Sequence, residues 1–203
     1  MLKFTVAFLI IFSIAVFSIE IGLSQFGLYT PFGAQDWTGT NSERTQHLIL
    51  KSDGLTALTI TRIEYRSHYN AGNTTYSNFT IKLCDTAVTE VTANWVANYG
   101  GNTPITVFSR DSIEIETSPL EWFVFDLDEP FVYNGTDNLL VEVEWNGKSG
   151  VGINTWGTYS NNRILTARNG GSLELQFYLH NLMINRYTAI NPISLGSIKA
   201  AFK

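Results

Sequence analysis

The chain has 203 residues, with 13 Lys and Arg against 18 Asp and Glu and a net charge of -5. Charged residues make up 15% and aromatic residues 13%. That balance excludes a disordered chain, which would be poor in rings, and a coiled coil, which needs charge-rich heptads. It also excludes nucleic acid as a partner, because neutralising phosphate takes a basic surface.

Residues 1–24 read as a secretory signal peptide. Lys3 is a short basic start, and Phe4 to Ile19 is almost wholly apolar. Gly22 and Ser24 are small residues at the -3 and -1 positions of a cut after Ser24. The alternative is an uncleaved anchor, but the run falls short of the ~20 residues that cross a bilayer upright, and Glu20 closes it. Without Lys3 and Glu20 the counts are 12 basic and 17 acidic, still -5. No later run is long and apolar enough to span a membrane. The expected location is therefore secreted or at the cell surface. The single Cys84 permits no intrachain disulfide. For a mature chain large enough to bury a core unaided, that suits a bacterial export product. Cys84 itself reads as an inert thiol facing away from the main apolar side.

Residues 25–45 are polar and irregular, with Trp37 among them, and are expected to drape over the fold. A β-sandwich domain is expected over 46–190 and a tail over 191–203. The sandwich expectation rests on alternation. Phe79, Ile81 and Leu83 alternate with Thr80 and Lys82. Phe123, Phe125 and Leu127 alternate with Val124 and Asp126. Leu139, Val141, Val143 and Trp145 are set against Glu142 and Glu144, and Leu173, Leu175, Phe177 and Leu179 repeat the pattern. A period of two buries one set and leaves the other, carboxylates included, in water. Asp53-Gly54, Gly100-Gly101, Asn134-Gly135, Asn146-Gly147 and Asn169-Gly170-Gly171 supply the positive φ of tight turns. Only Thr86–Asn98 competes as helix, for one or two turns, because its Thr and Val content disfavours more. The fold class is all-β: an antiparallel, jelly-roll-like sandwich of about nine or ten strands.

The pieces "RTQHLILKSDGLTALTITRIEYR", "NFTIKLCDTAVTE", "NYGGNTPITVFS" and "WFVFDLDEPFVYNGTDNLLVEVEWN" resemble a family of secreted bacterial β-sandwich modules. The likeness covers most of residues 43–150. Its most specific part is Trp122, Pro130-Phe131-x-Tyr133-Asn134-Gly135 and Asn138 to Glu142. The resemblance implies a jelly-roll sandwich in exported, often multidomain bacterial proteins, and it implies no catalytic residues. Leu195 to Lys203 looks like the short tail on some such proteins. The motif also has a direct physical reading. Pro130 belongs at a strand start, edge or bulge, Phe131 and Tyr133 point the same way onto the core edge, and Asn138 bonds loop backbone.

Catalytic chemistry leaves little trace. No Gly-x-Ser-x-Gly elbow and no Cys beside a His is present. His47, His68 and His180 lie in separate segments with no zinc spacing. Asp126, Asp128 and Asp137 could hold a structural Ca²⁺, the one cofactor under consideration, or they are the wet face of a strand and its turn. A Glu142/Glu144 pair is a weak glycosidase signal. Aromatic rings in polar surroundings are better candidates. Trp156 and Tyr159 sit in "INTWGTYSNNR" with Arg163 close behind, and rings beside hydrogen-bond donors suit a sugar. Trp37 and Trp95 fit that role less well than capping the sandwich ends. Trp122 and Trp145 read as core. The leading expectation is a non-enzymatic surface, adhesion or matrix module. A carbohydrate-binding module using Trp156, Tyr159, Arg163 and Trp37 is the alternative, and a glycan-active enzyme ranks third. Expected partners are polysaccharide or cell-surface components, with self-association through open strand edges.

Overall fold

A computed structural model describes residues 18–33, 39–69 and 72–185. Twelve strands follow one another: β1 (Ile19–Ile21), β2 (Phe26–Leu28), β3 (Ser42–Ile49), β4 (Leu58–Arg66), β5 (Gly72–Thr86), β6 (Ile105–Thr117), β7 (Trp122–Tyr133), β8 (Asn138–Asn146), β9 (Lys148–Ser149), β10 (Thr155–Arg168), β11 (Glu174–His180) and β12 (Leu182–Ile184). Every strand pair is antiparallel. One sheet has the order β1-β12-β4-β7. The other runs β11-β10-β3-β8-β5-β6, with β2 beside β10 and β9 beside β5. The fold is thus all-β, with two antiparallel sheets packed across one main core. Among the described residues, no helix is long and apolar enough to cross a membrane.

The alternation works as the side-chain period requires. Leu139, Val141, Val143 and Trp145 are all buried in the core between the sheets, facing Phe123, Phe125 and Phe131 of β7. At the β7–β8 turn, Asn134 Oδ1 accepts the backbone N–H groups of Thr136 and Asp137 at 2.7 and 2.9 Å. Gly135 there has φ +72°, and a Cβ on it would stand 2.4 Å from the Ala57 nitrogen. Asn138 Oδ1 accepts the Lys51 N–H, and its amide donates to the Val88 carbonyl. In the segment Thr86–Asn98, Thr86 ends β5 and the rest stays irregular up to a single helical turn at Ala97–Tyr99.

Besides having twelve strands instead of nine or ten and leaving Leu173, Leu175 and Phe177 exposed where alternation puts them on a buried face, the structure departs from the sequence expectations in three places. Ordered strands start well before Gln46. Ile19–Ile21 pairs with β12 in the register Ile19–Ile184, Glu20–Met183, Ile21–Leu182, and Ile21 is buried in the main core. The stretch after β2 does not drape over the fold but enters it. Phe32 is fully buried, with its ring centroid 5.1 Å from those of Tyr65 and Phe123 and within 6.2 Å of Tyr76, Phe79 and Phe125. Tyr76 Oη and Trp145 Nε1 donate to the carbonyls of Phe32 and Pro31 at 2.7 and 2.8 Å. Those bonds satisfy two polar groups that would otherwise be stranded in the core.

The third departure is Glu142, which is buried rather than solvated. The loop from Thr86 to Asn102 folds over the outer face of the larger sheet. It closes a second apolar cluster of Leu48, Cys84, Val91, Tyr99, Leu140 and Leu165 and carries Glu142 under cover with it. Cys84 is buried there. Burial, reinforced by Asp85 and Glu142, pushes its thiol up to about 11, too high for a nucleophile at neutral pH.

Candidate functional site

Trp156, Tyr159 and Arg163 lie on one strand but in three environments, because β10 is not regular. Tyr159 pairs with Tyr178 and Ile164 with Gln176. Five steps along β10 therefore match two along β11. Asn162 takes φ +45° within this bulge. A bulge of this kind re-aims the side chains on either side of it, so the spacing from Tyr159 to Arg163 no longer predicts a shared face.

Arg163 is buried and points inward. Its Nη1 donates to the Leu48 carbonyl at 2.9 Å, and its Nη2 donates to both carboxylate oxygens of Asp53, also at 2.9 Å. This guanidinium pins the turn after β3. Trp156 is 9% exposed. The His68 ring lies edge-on 4.2 Å from it, with Tyr69 5.5 Å away. Trp37 lies outside the described residues.

Tyr159 is 71% exposed. Its ring centroid stands 4.4 Å from Phe26 and 5.4 Å from Tyr178, and Phe26 is 5.2 Å from Tyr178. The interplanar angles of 56°, 41° and 66° make these rings a cup rather than a flat shelf. Three elements build it: β2 supplies Phe26, β10 Tyr159 and β11 Tyr178. Beside it is a cleft of about 280 Å³ lined by Phe26, Tyr29, Arg168, Gln176 and Tyr178 among others. Arg168 is half-buried, between Glu43 at 3.7 Å and Glu174 at 3.8 Å. Apolar ring faces beside guanidinium and amide donors match the two kinds of surface a sugar presents. Phe26 and Tyr178 were not among the sequence candidates. Only the pairing of β2 and β11 on either side of β10 brings them to Tyr159, and nothing local in the sequence signals that.

Two of the three acidic candidates are held by arginines, and the third by its own turn. Asp126 bonds Arg62 Nε at 2.6 Å. Asp128 bonds Arg110 Nη1 at 2.7 Å and the Ser109 N–H at 3.1 Å. Asp137 accepts from the Asn134 amide within its own turn. The three are not assembled around a common point, and no group of three or more His, Cys, Asp or Glu among the described residues could hold a metal ion. Glu142 accepts from Arg44, Gln46, Lys82 and Tyr99 at 2.6 to 3.0 Å. Burial acts to raise its pKa, but the bonds from Tyr99 and Arg44 outweigh burial and hold it below the usual carboxylate value. Lys82 bridges it to Glu144. Trp95 lies under the Arg44 guanidinium at 4.6 Å, where it seals this network.

The interior also carries a polar layer that separate sequence segments did not reveal. The His47 and His180 rings are 5.1 Å apart. His47 Nε2 and Tyr65 Oη share a hydrogen bond at 3.0 Å, and Thr155 Oγ1 meets His180 Nδ1 at 3.0 Å. Burial pushes His47 down to about 3 and lowers His180, with His47 adding to the shift. Both stay neutral at pH 7. Glu43 accepts from Thr45 and Thr166, and its Oε2 has only the Gly33 backbone beside it. Desolvation lifts its pKa to about 7, against the pull of Arg168.

No protein-family model and no curated protein matches this chain.

Proposed function

We propose that the protein is an exported, non-catalytic β-sandwich module of a cell surface or extracellular matrix, and that it holds polysaccharide in the cup formed by Phe26, Tyr159 and Tyr178. The observation that carries this reading is the exposure of the Tyr159 ring while two further rings back it. Rings clustered into one partly exposed apolar patch rimmed by polar groups are the kind of surface that marks an interaction site. The tilt of the rings suits one sugar unit or a chain end more than a long flat chain. Arg168 and Gln176 at the cleft wall supply donors for hydroxyl or carboxylate groups on that unit.

The leader-like start of the sequence supports export, although residues 1–17 lie outside the described residues and a cut after Ser24 would remove β1, so a leader compatible with the fold ends before Ile19. The carboxylates support a non-catalytic role. Glu142 is locked by four donors. Glu43 pairs across the sheet with Trp145, whereas Glu144 pairs with Arg44, so Glu43 and Glu144 project from opposite faces and do not converge on one substrate.

Retention on a panel of insoluble and soluble polysaccharides tests the reading. Binding to at least one polymer is expected. Tyr159→Ala is expected to weaken it roughly tenfold, equivalent to about 1.4 kcal/mol. Val132→Ala, an exposed change on β7 of the other sheet, is expected to leave binding unchanged. Absence of retention on every polymer, or equal retention by Tyr159→Ala, removes the carbohydrate assignment.

A further inference from the structure

The two sheets end in four edge strands: β1 and β7 in one, β11 and β6 in the other. Three of these edges are protected against pairing. β1 has only three residues. β7 contains Pro130, which lacks a ladder donor, together with Asp126, Asp128 and Glu129. The edge of β6 is met by Asp128, which takes the Ser109 N–H and the Arg110 side chain. β11 differs. Among the described residues it pairs on one side only, with β10. It also displays Leu175 and Phe177 at 40% and 57% exposure, with Leu173 just before it at 37%.

These side chains extend a stripe that is buried elsewhere. Leu175 pairs with Leu165 of β10, and Leu165 belongs to the apolar cluster under the Thr86–Asn102 loop. At β11 the stripe passes beyond that cluster into solvent. The segment Leu173-Glu174-Leu175-Gln176-Phe177-Tyr178-Leu179 also reads nearly alike in both directions about Gln176.

We infer that β11 is a homodimerisation edge, on which a second copy of this chain adds its own β11 antiparallel about a two-fold axis at Gln176. In that register Leu175 of each copy lies opposite Phe177 of the other, and Leu173 lies opposite Leu179, whose side chain is already buried in the main core. Glu174 meets Tyr178, so no like charges face each other. A two-fold contact must be self-complementary, and the near-palindrome meets that demand. The two larger sheets join into one continuous sheet, and the apolar side chains of both copies share a face. Gln176 and Tyr178 alternate with Leu175 and Phe177 by the two-residue period, but all four border the cleft beside the ring cup, so the second copy lies next to that cleft. One strand edge and three apolar side chains per copy place the contact at the small end of stable interfaces, roughly 1,200 Å² or less. The dimer is therefore concentration-dependent.

Sedimentation equilibrium combined with single-cysteine cross-linking tests this. A monomer–dimer equilibrium is expected, and Leu175→Lys/Phe177→Lys should abolish it while the β-sheet circular dichroism is unchanged, since both positions are exposed. Under mild oxidation Gln176→Cys should form a covalent dimer, because residues opposite each other across an antiparallel pair lie within disulfide reach. Glu174→Cys should not, because residues 174 of the two copies would be four positions out of register. Buried Cys84 does not compete. A monomer at the highest soluble concentration, association that survives the double Lys variant, or cross-linking at 174 equal to that at 176 would each overturn the inference. None of these outcomes depends on whether a polysaccharide binds.

Discussion

Replacing Phe32 with Ala tests how far the segment before β3 belongs to the core. Phe32 is fully buried and in ring contact with Tyr65, Tyr76, Phe79, Phe123 and Phe125. The substitution removes the ring from the middle of an aromatic cluster drawn from β4, β5 and β7, elements held in place by their own ladders. Little collapse can fill the space. The expected cost is therefore in the upper range for this kind of truncation, about 3–5 kcal/mol. For a domain of this size that corresponds to a fall in Tm of roughly 6–20 °C, at about 2–4 °C per kcal/mol.

Two companion variants separate the ring from the backbone anchor. Tyr76→Phe keeps the ring and removes only the hydroxyl that donates to the Phe32 carbonyl, which the Ile153 N–H also reaches at 3.2 Å. It should cost about 1 kcal/mol. Leu23→Ala, at an exposed position, should change stability by less than about 0.5 kcal/mol. Urea unfolding followed by tryptophan fluorescence gives all three values. A cost below about 1 kcal/mol for Phe32→Ala would mean that the ring is not inserted, and the argument for a core plug would fail.

Three further outcomes follow from particular contacts. Glu43 is protonated in the fold up to about pH 7, against an ordinary value of 4.5. Its contribution is fully present below pH 4.5 and is lost as pH rises to 7, by about 3 kcal/mol at 1.36 kcal/mol per pH unit. Glu43→Gln should therefore be more stable than the parent at pH 8 and equal to it at pH 4, as read by thermal melts across that range. His47 and His180 act in the opposite sense, costing stability as pH falls below 6.5. Gly135→Ala combines a positive φ with a Cβ 2.4 Å from the Ala57 nitrogen. It should cost more than the roughly 1–2 kcal/mol of left-handed backbone strain alone, measured by denaturant midpoint. A chain starting at Gln25 should melt lower than one starting at Ile19. It loses buried Ile21, and it strips the buried Asn181 amide of its bonds to Glu20 and to the carbonyls of Ile21 and Gly22. Equal melting of the two would show that β1 adds nothing to the fold.

The strand pattern was readable in the sequence because it is local. The side-chain period of two is set by backbone geometry, so the buried faces of β5, β7 and β8 follow from spacing alone. The turn at Asn134-Gly135 follows from the one residue type that tolerates both its φ and the nearness of Ala57. Phe131, Tyr133 and Asn138 likewise do what their residue types suggest, since their partners lie close in the chain or on the adjacent strand.

What decided the candidate site was not local. Alternation marks Glu142 as wet, but it cannot show that a loop forty or more residues earlier in the chain folds across that face and makes burial affordable by bringing Tyr99 beside Arg44 and Lys82. Composition marks Phe32 as part of a polar, irregular stretch, but only the gap between the two sheets gives its ring a place. Tyr159 and Arg163 look like neighbours until the bulge in β10 turns one toward solvent and the other toward Asp53. Phe26, Tyr159 and Tyr178 become one surface only because strands from both ends of the chain meet on β10. Local geometry is written in the order of residues, whereas the meeting of distant segments depends on the packing free energy of the whole chain.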